Sequence, residues 1–514
     1  MRLGKGLWVG AAVILWGWLW SWAASAHASQ PGDCAALVGS HPGAVQVESA
    51  VETASVCVAR GIASPYTAAD GRAFGVRFEL RLPKPWNGKF YFQGGGGLDG
   101  SVAPAIGAAG SGPSALARGY AVLSMDGGHE GGDAAFASEQ QARLDYAYQA
   151  IGKATAAGKL LIRQYYGGVP KRSYFVGCSN GGREAMLAVQ RYPLEFDGAV
   201  AGAPGFRLSR AAVQEAFANQ TLARIAPRDA KGEPMLARAL TDQDLALVSK
   251  AVLKACDGLD GLADGLISNP AACRFEARSI ACKAGEAGEC LAPAKAAALD
   301  AVFAGARDSR GKPLYSRFYW DSGVADPGWR MWVLGIEGRM PALNVALGGE
   351  SLTRYFMTPP APGRSLYDLD LDQLEDAVAE TGAINDATSS FIGSFTGHGG
   401  KLILYHGVSD PVFSAADTVR WVQAVRRTDA TAAAAVRLFL VPGMTHCGGG
   451  AATDQFDLLS ALEDWAEKGA APDQVTATGG AALPVSRPLC AWPAYARYQG
   501  GDPKAAESFR CTAP

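Results

Sequence analysis

The sequence predicts an α/β fold built on a mainly parallel sheet, with one large insertion. Three observations carry this. Short apolar runs of strand length recur along the chain, helical apolar spacing lies between them, and the rhythm lapses once, over about residues 207–393. The first run is KFYFQ at 89–93, which ends in four glycines, 94–97. YAVLSM at 120–125 and SYFVG at 173–177 follow, and residues 183–192 then carry apolar side chains at helical spacing. DGAVA at 197–201, KLILY at 401–405 and VRLFLV at 436–441 complete the set.

The insertion holds an Asp/Gly-rich loop, four cysteines and a crowd of aromatics: Tyr319, Trp320, Trp329, Trp332, Tyr355 and Phe356. It reads as a lid between two parts of one core, 29–206 and 394–514. Its aromatics, Trp329 and Trp332 among them, are expected to cover the site and pack on a substrate ring.

The chain has 514 residues, of which 48% are hydrophobic and 19% charged, enough apolar material for a sizeable core. The net charge is −2 with no long run of either sign, so neither nucleic acid nor an anionic membrane surface is expected as a partner. Residues 1–28 read as a signal peptide. Arg2 and Lys5 precede an apolar stretch at 7–22, and Ala24-Ser25-Ala26 or Ala26-His27-Ala28 offers a small-x-small cleavage site. The stretch is short for a membrane span. A secreted or periplasmic protein, without stable membrane insertion after cleavage, is therefore expected. Ten cysteines, none in a C-x-x-C pair, suit disulfides in an oxidising compartment.

The strongest local signal is GCSNGG at 177–182, which places G-x-S-x-G at Gly177, Ser179 and Gly181. It sits where a strand ends and a helix begins. A nucleophile elbow needs that context, so the core is expected to be an α/β-hydrolase. Serine is a weak nucleophile and needs a base. Beyond the signal segment the histidines are His41, His129, His398, His406 and His446. In this fold the order along the chain is Ser, acid, His, which favours His446 in the loop after 436–441 and Asp410 in HGVSDP after 401–405. His406 and His398 are rival bases, and Asp417 and Asp429 rival acids. Cys178 precedes the nucleophile and Cys447 follows the base, so a disulfide between them is expected. Two backbone N–H groups should hold the oxyanion: that of Asn180 and that of a glycine in 94–97, Gly95 or Gly96.

The loop DGLDGLADGL at 257–266 gathers Asp257, Asp260 and Asp264 within eight residues. Three carboxylates so close repel one another without a cation. Hard oxygen ligands in a glycine-rich turn suit calcium, although the EF-hand spacing is absent. Cys256 and Cys273 flank the loop and are placed to clamp it.

Together these residues resemble the tannase and feruloyl esterase family over nearly the whole mature chain. The most specific element is Cys178-Ser179, Asp410 and His446-Cys447. The resemblance implies a Cys178–Cys447 disulfide and the pairs Cys34–Cys57, Cys256–Cys273, Cys282–Cys290 and Cys490–Cys511. It also implies a structural calcium on the carboxylates of Asp257, Asp260 and Asp264 and the carbonyls of Leu262 and Leu266. It places His406 in the substrate pocket. Arg354 is a candidate for gripping a terephthalate carboxylate. Asn180 stands where some members carry an acidic residue, and the lid, which sets substrate choice in the family, is short here.

The expected activity is serine carboxyl-ester hydrolysis of small-molecule esters of aromatic, phenolic acids, feruloyl or galloyl, through an acyl-enzyme. Terephthalate monoester hydrolysis is the alternative. Another acyl-transfer reaction, or a non-catalytic binding protein on the same scaffold, are the rivals from other classes.

Overall fold

The computed structural model describes residues 32–108, 110–286 and 288–514; the expected signal peptide lies outside them. Ten strands form one sheet in the order β1-β2-β3-β4-β6-β5-β7-β8-β9-β10. The first four are β1 (Gly39–His41), β2 (Val45–Thr53), β3 (Val56–Thr67) and β4 (Ala73–Pro83), joined as an antiparallel meander. The reading from apolar runs missed these strands. In β2, buried Val45 and Val47 alternate with exposed Gln46 and Glu48, so no continuous apolar run marks it.

The six runs that were read as strands are strands: β5 (Lys89–Gln93), β6 (Ala121–Met125), β7 (Arg172–Cys178), β8 (Gly198–Gly202), β9 (Lys401–Gly407) and β10 (Val436–Val441). Every pairing from β6 across to β10 is parallel. Buried on both faces, these strands carry side chains of alternate direction into two cores. Phe90, Phe92, Leu123 and Phe175 meet the helices Ala150–Tyr166 and Asn180–Arg191 on one face. Tyr91, Val122, Tyr174 and Ile403 meet Leu458, Leu462 and Trp465 of the helix Leu458–Lys468 on the other.

Between β8 and β9 the chain adds no strand to the sheet. It folds as helices with a core of their own, in which Leu222, Leu245, Val252, Leu299 and Val333 pack together. The helix Asp242–Cys256 opens on a capping box between Thr241 and Asp244. After β10, two antiparallel pairs, β11 (Gln474–Thr478) with β12 (Ser486–Cys490) and β13 (Tyr495–Tyr498) with β14 (Phe509–Thr512), close the chain. All ten cysteines are bonded, as Cys34–Cys57, Cys178–Cys447, Cys256–Cys273, Cys282–Cys290 and Cys490–Cys511. No helix among the described residues is long and apolar enough to cross a membrane.

Candidate active site

Ser179 stands between the end of β7 and the helix Asn180–Arg191, with φ 63° and ψ −122°. That is a conformation a non-glycine residue adopts only when its surroundings impose it. The flanking glycines follow from crowding. A Cβ at Gly177 would lie 2.5 Å from the backbone of Gly181, and one at Gly181 would lie 2.6 Å from the Gly95 carbonyl oxygen. The turn closes this tightly only without side chains, and it lifts the serine out of the sheet.

The structure brings Ser179, His446 and Asp410 together. His446 Nε2 is 2.8 Å from Ser179 Oγ, and its Nδ1 is 2.8 Å from Asp410 Oδ2. Burial opposes charge on Asp410, but the His446 and His406 imidazoles outweigh it and hold its carboxyl well below the usual range. An ionised Asp410 only accepts. His446 therefore carries its proton on Nδ1, which leaves Nε2 free to accept the serine O–H. The N–H groups of Val412 and Phe413 donate to Asp410 Oδ1 at 2.8 and 3.1 Å, which fixes the carboxylate plane. The Cys178–Cys447 bond, with Cα atoms 5.9 Å apart, ties the residue before the serine to the residue after the histidine. Of the rivals, Asp417 pairs with Arg207 at 2.8 Å, and His398 packs edge-on against Phe395.

The glycine run divides. Gly95 N–H donates to Glu184 Oε2 at 2.9 Å and its carbonyl accepts from Gly181 N–H, so Gly95 is spent on holding the loop. This corrects its expected role and leaves Gly96 as the candidate oxyanion donor. Asn180 opens a helix, where N–H groups have no intrahelical acceptor, so its N–H is available too. Its side chain donates to Asp99 Oδ1 at 2.5 Å, and Arg183 Nε donates to its Oδ1 at 2.7 Å. Burial and the Glu184 charge raise the Asp99 carboxyl well above its ordinary range, and burial raises Glu184 with it. Reading the sequence missed Asp99 and Glu184. The available signal was Glu184 lying one helical turn after Asn180.

A family model described as "Tannase and feruloyl esterase" matches residues 58–512. The chain belongs to that family. It is 38% identical over 512 residues to a mono(2-hydroxyethyl) terephthalate hydrolase of Piscinibacter sakaiensis, covering 89% of this chain and 85% of that protein. A probable feruloyl esterase of Arthroderma benhamiae is 29% identical over 465 residues, 84% of this chain and 81% of the other. The fold matches the crystal structure of feruloyl esterase B from Aspergillus oryzae with a TM-score of 0.78 at 24% identity, over 92% of this chain and 97% of that one. The protein is thus a carboxylic ester hydrolase on an α/β-hydrolase fold.

In this esterase a cleft opens beside Ser179 and Asn180, walled by Leu208, Ala212, Trp332 and Phe413. Trp332 and Phe413 stand edge-on to the His446 ring, at 5.4 and 5.3 Å between centroids. Three expectations need correction. Trp329 does not line this cleft; it is buried in the insertion's core, near Phe303. His406 is fully buried under Asp410, 3.3 Å from its Oδ2, with Thr418 Oγ1 on its other nitrogen at 2.8 Å, so it supports the acid and does not meet substrate. Arg354 is paired with Glu350 at 2.9 Å on the surface, away from the cleft lining. The aromatic crowd is likewise split. Trp320 stacks on Phe303 at 3.7 Å and Tyr355 packs on Tyr146, leaving Trp332 as its member in the cleft.

The acidic loop lies beside the Cys256–Cys273 bond, with Asp257 and Asp260 buried and Asp264 half-buried. Asp257 Oδ2 accepts from Gly265 N–H, Asp260 from Leu262 and Ser268 N–H, and Asp264 from Leu266 N–H. Asp264 also pairs with Arg487, which compensates one of the three carboxylates. Asp257 Oδ1 is buried with no partner. Burial raises both the Asp257 and Asp260 carboxyls, Asp260 to about 6, and the neighbouring Asp264 charge adds to both. An orphaned carboxylate oxygen among hard donors fits a cation such as calcium.

Proposed function

We propose that the protein is an exported serine esterase that cleaves esters of aromatic acids through an acyl-enzyme on Ser179. The Ser179–His446–Asp410 relay, with both contacts at 2.8 Å at the floor of an aromatic-walled cleft, carries this reading. Ser179 Oγ attacks the ester carbonyl as His446 Nε2 takes its proton. The N–H groups of Asn180 and Gly96 take the charge that develops on the carbonyl oxygen. His446 then passes the proton to the leaving alcohol, and water releases the acid by the same route. Relatives named for feruloyl and terephthalate esters support an aromatic acyl group. Methyl ferulate and methyl gallate should both be turned over, as a panel with a terephthalate monoester and an anilide would show. Cleavage of the anilide alone would overturn the reading.

Five disulfides support export, to the periplasm or the medium. Residues 207–393 serve as the lid that carries Trp332 over the serine. Asp257, Asp260 and Asp264, with the Leu262 and Leu266 carbonyls, would hold calcium for stability and take no part in the chemistry. A metal bound only by the fold stabilises it by about 2.7 kcal/mol at a hundredfold excess over Kd. Chelation should therefore lower Tm and calcium should restore it. Identical melting curves with and without chelator would remove the ion from this account.

A further inference from the structure

We propose that Glu215 is the polar anchor for a hydroxyl group on the substrate's acyl ring, selecting esters of ring-hydroxylated aromatic acids. This deepens the reading above and rests on it. Leu208, Ala212 and Glu215 lie four and three residues apart on the helix Leu208–Ala223, so one face presents all three to the cleft beside Ser179. Glu215 is the one ionisable side chain in a lining otherwise made of apolar residues, glycine, serine and Asn180.

Glu215 is only 6% exposed, and no hydrogen bond or ion pair to its carboxyl exists among the described residues. Room for it depends on Gly348, where a Cβ would lie 1.7 Å from Glu215 Oε2. Glu215 also lines a second cavity, with Trp329 and Asn344, so it stands where the cleft and that cavity adjoin. Burial alone pushes its pKa up to about 8.

A buried acid with no partner lowers stability, and such groups persist where a ligand supplies the partner. A neutral carboxyl accepts a phenolic O–H on its carbonyl oxygen and donates its own proton to a second ring oxygen. An unsubstituted ring leaves it unpaired. A ring carboxylate needs a cation, and neither lysine nor arginine lines the cleft. A site built to bond a hydroxyl rejects the analogue that lacks it far more strongly than an apolar slot rejects a missing methylene.

The test compares kcat/KM for methyl 3,4-dihydroxybenzoate, methyl benzoate and monomethyl terephthalate in the wild type, Glu215→Leu and Glu215→Gln, with melting curves for each. The wild type should prefer the dihydroxy ester. That preference over the benzoate should fall at least about tenfold in Glu215→Leu and be largely kept in Glu215→Gln, whose amide still bonds a hydroxyl. Tm of Glu215→Leu should rise, since an unpartnered acid is replaced by an apolar chain. Should Glu215→Leu fail to fold, a preference that Glu215→Gln erases would also overturn the assignment. An unchanged preference in Glu215→Leu, or a wild type that favours the terephthalate, would overturn it while leaving aromatic ester hydrolysis standing. A wild type that cleaves none of the three but turns over a short aliphatic ester would overturn the proposed substrate class and this inference with it.

Discussion

Ser179→Ala is expected to lower kcat by on the order of 10⁴-fold or more on any ester the enzyme turns over. The serine oxygen is the atom that His446 Nε2 faces at 2.8 Å, and nothing else at the turn offers a nucleophile in its place. The fold should be indifferent to the change. Alanine keeps the backbone strain at φ 63° that the glycines at 177 and 181 accommodate. The lost hydrogen bond is one of modest net strength, about 1 kcal/mol. Steady-state kinetics with a melting curve separates the two. More than a tenth of wild-type activity in a properly folded variant would show that Ser179 is not the nucleophile.

Asp410→Asn should cost about 10⁴-fold in kcat, through the wrong histidine tautomer. The geometry dictates which way the amide turns. Val412 and Phe413 N–H groups both donate to Oδ1, so the asparagine must keep its carbonyl oxygen there. Its NH₂ then faces His446 Nδ1, which is obliged to accept, and the ring proton moves to Nε2, where it points at Ser179. A neutral asparagine also leaves the imidazolium of the transition state without its counter-charge. The sign of the pH effect follows from the depressed Asp410 pKa. A carboxyl held below its ordinary value, about 4, adds stability above that value and loses it as the pH falls. Acid should therefore destabilise the wild type more than Asp410→Asn. A variant with near-normal kcat would move the acid's role to another residue, and matching acid profiles would deny Asp410 its part in stability.

Much of this site could be read along the chain because its elements are local. The elbow is a six-residue turn whose glycines are forced by contacts within the turn and with the loop Gly94–Gly97. The six strands of the parallel half are buried on both faces, and so announce themselves as apolar runs. β2 and β4 did not, because polar side chains alternate with their apolar ones, Gln46 and Glu48 in β2 and Arg77, Glu79 and Arg81 in β4. Asp410 and His446 each follow such a run, and Cys178 and Cys447 sit next to the serine and histidine they hold in register.

What the chain order left open was the partner of each polar group. Gly95 and Gly96 are indistinguishable in sequence. They differ because Glu184, 89 residues on, takes the Gly95 N–H. His406 and His446 are both placed near Asp410, and burial alone sends one beneath the acid and the other to the serine. Trp329 and Trp332, three residues apart on one short helix, part between the insertion's core and the cleft. Glu215 reads as an ordinary helical glutamate until the fold surrounds it with apolar residues and a glycine. Sequence by itself determined the strands of the parallel half, the elbow and the residues able to do ester chemistry, since backbone conformation and bond-making capacity are properties of short segments. Tertiary structure decided which N–H groups stay free, which histidine reaches the serine and which carboxyl lines the cleft. Those depend on desolvation and on partners distant in the chain, and they exist only once the segments meet.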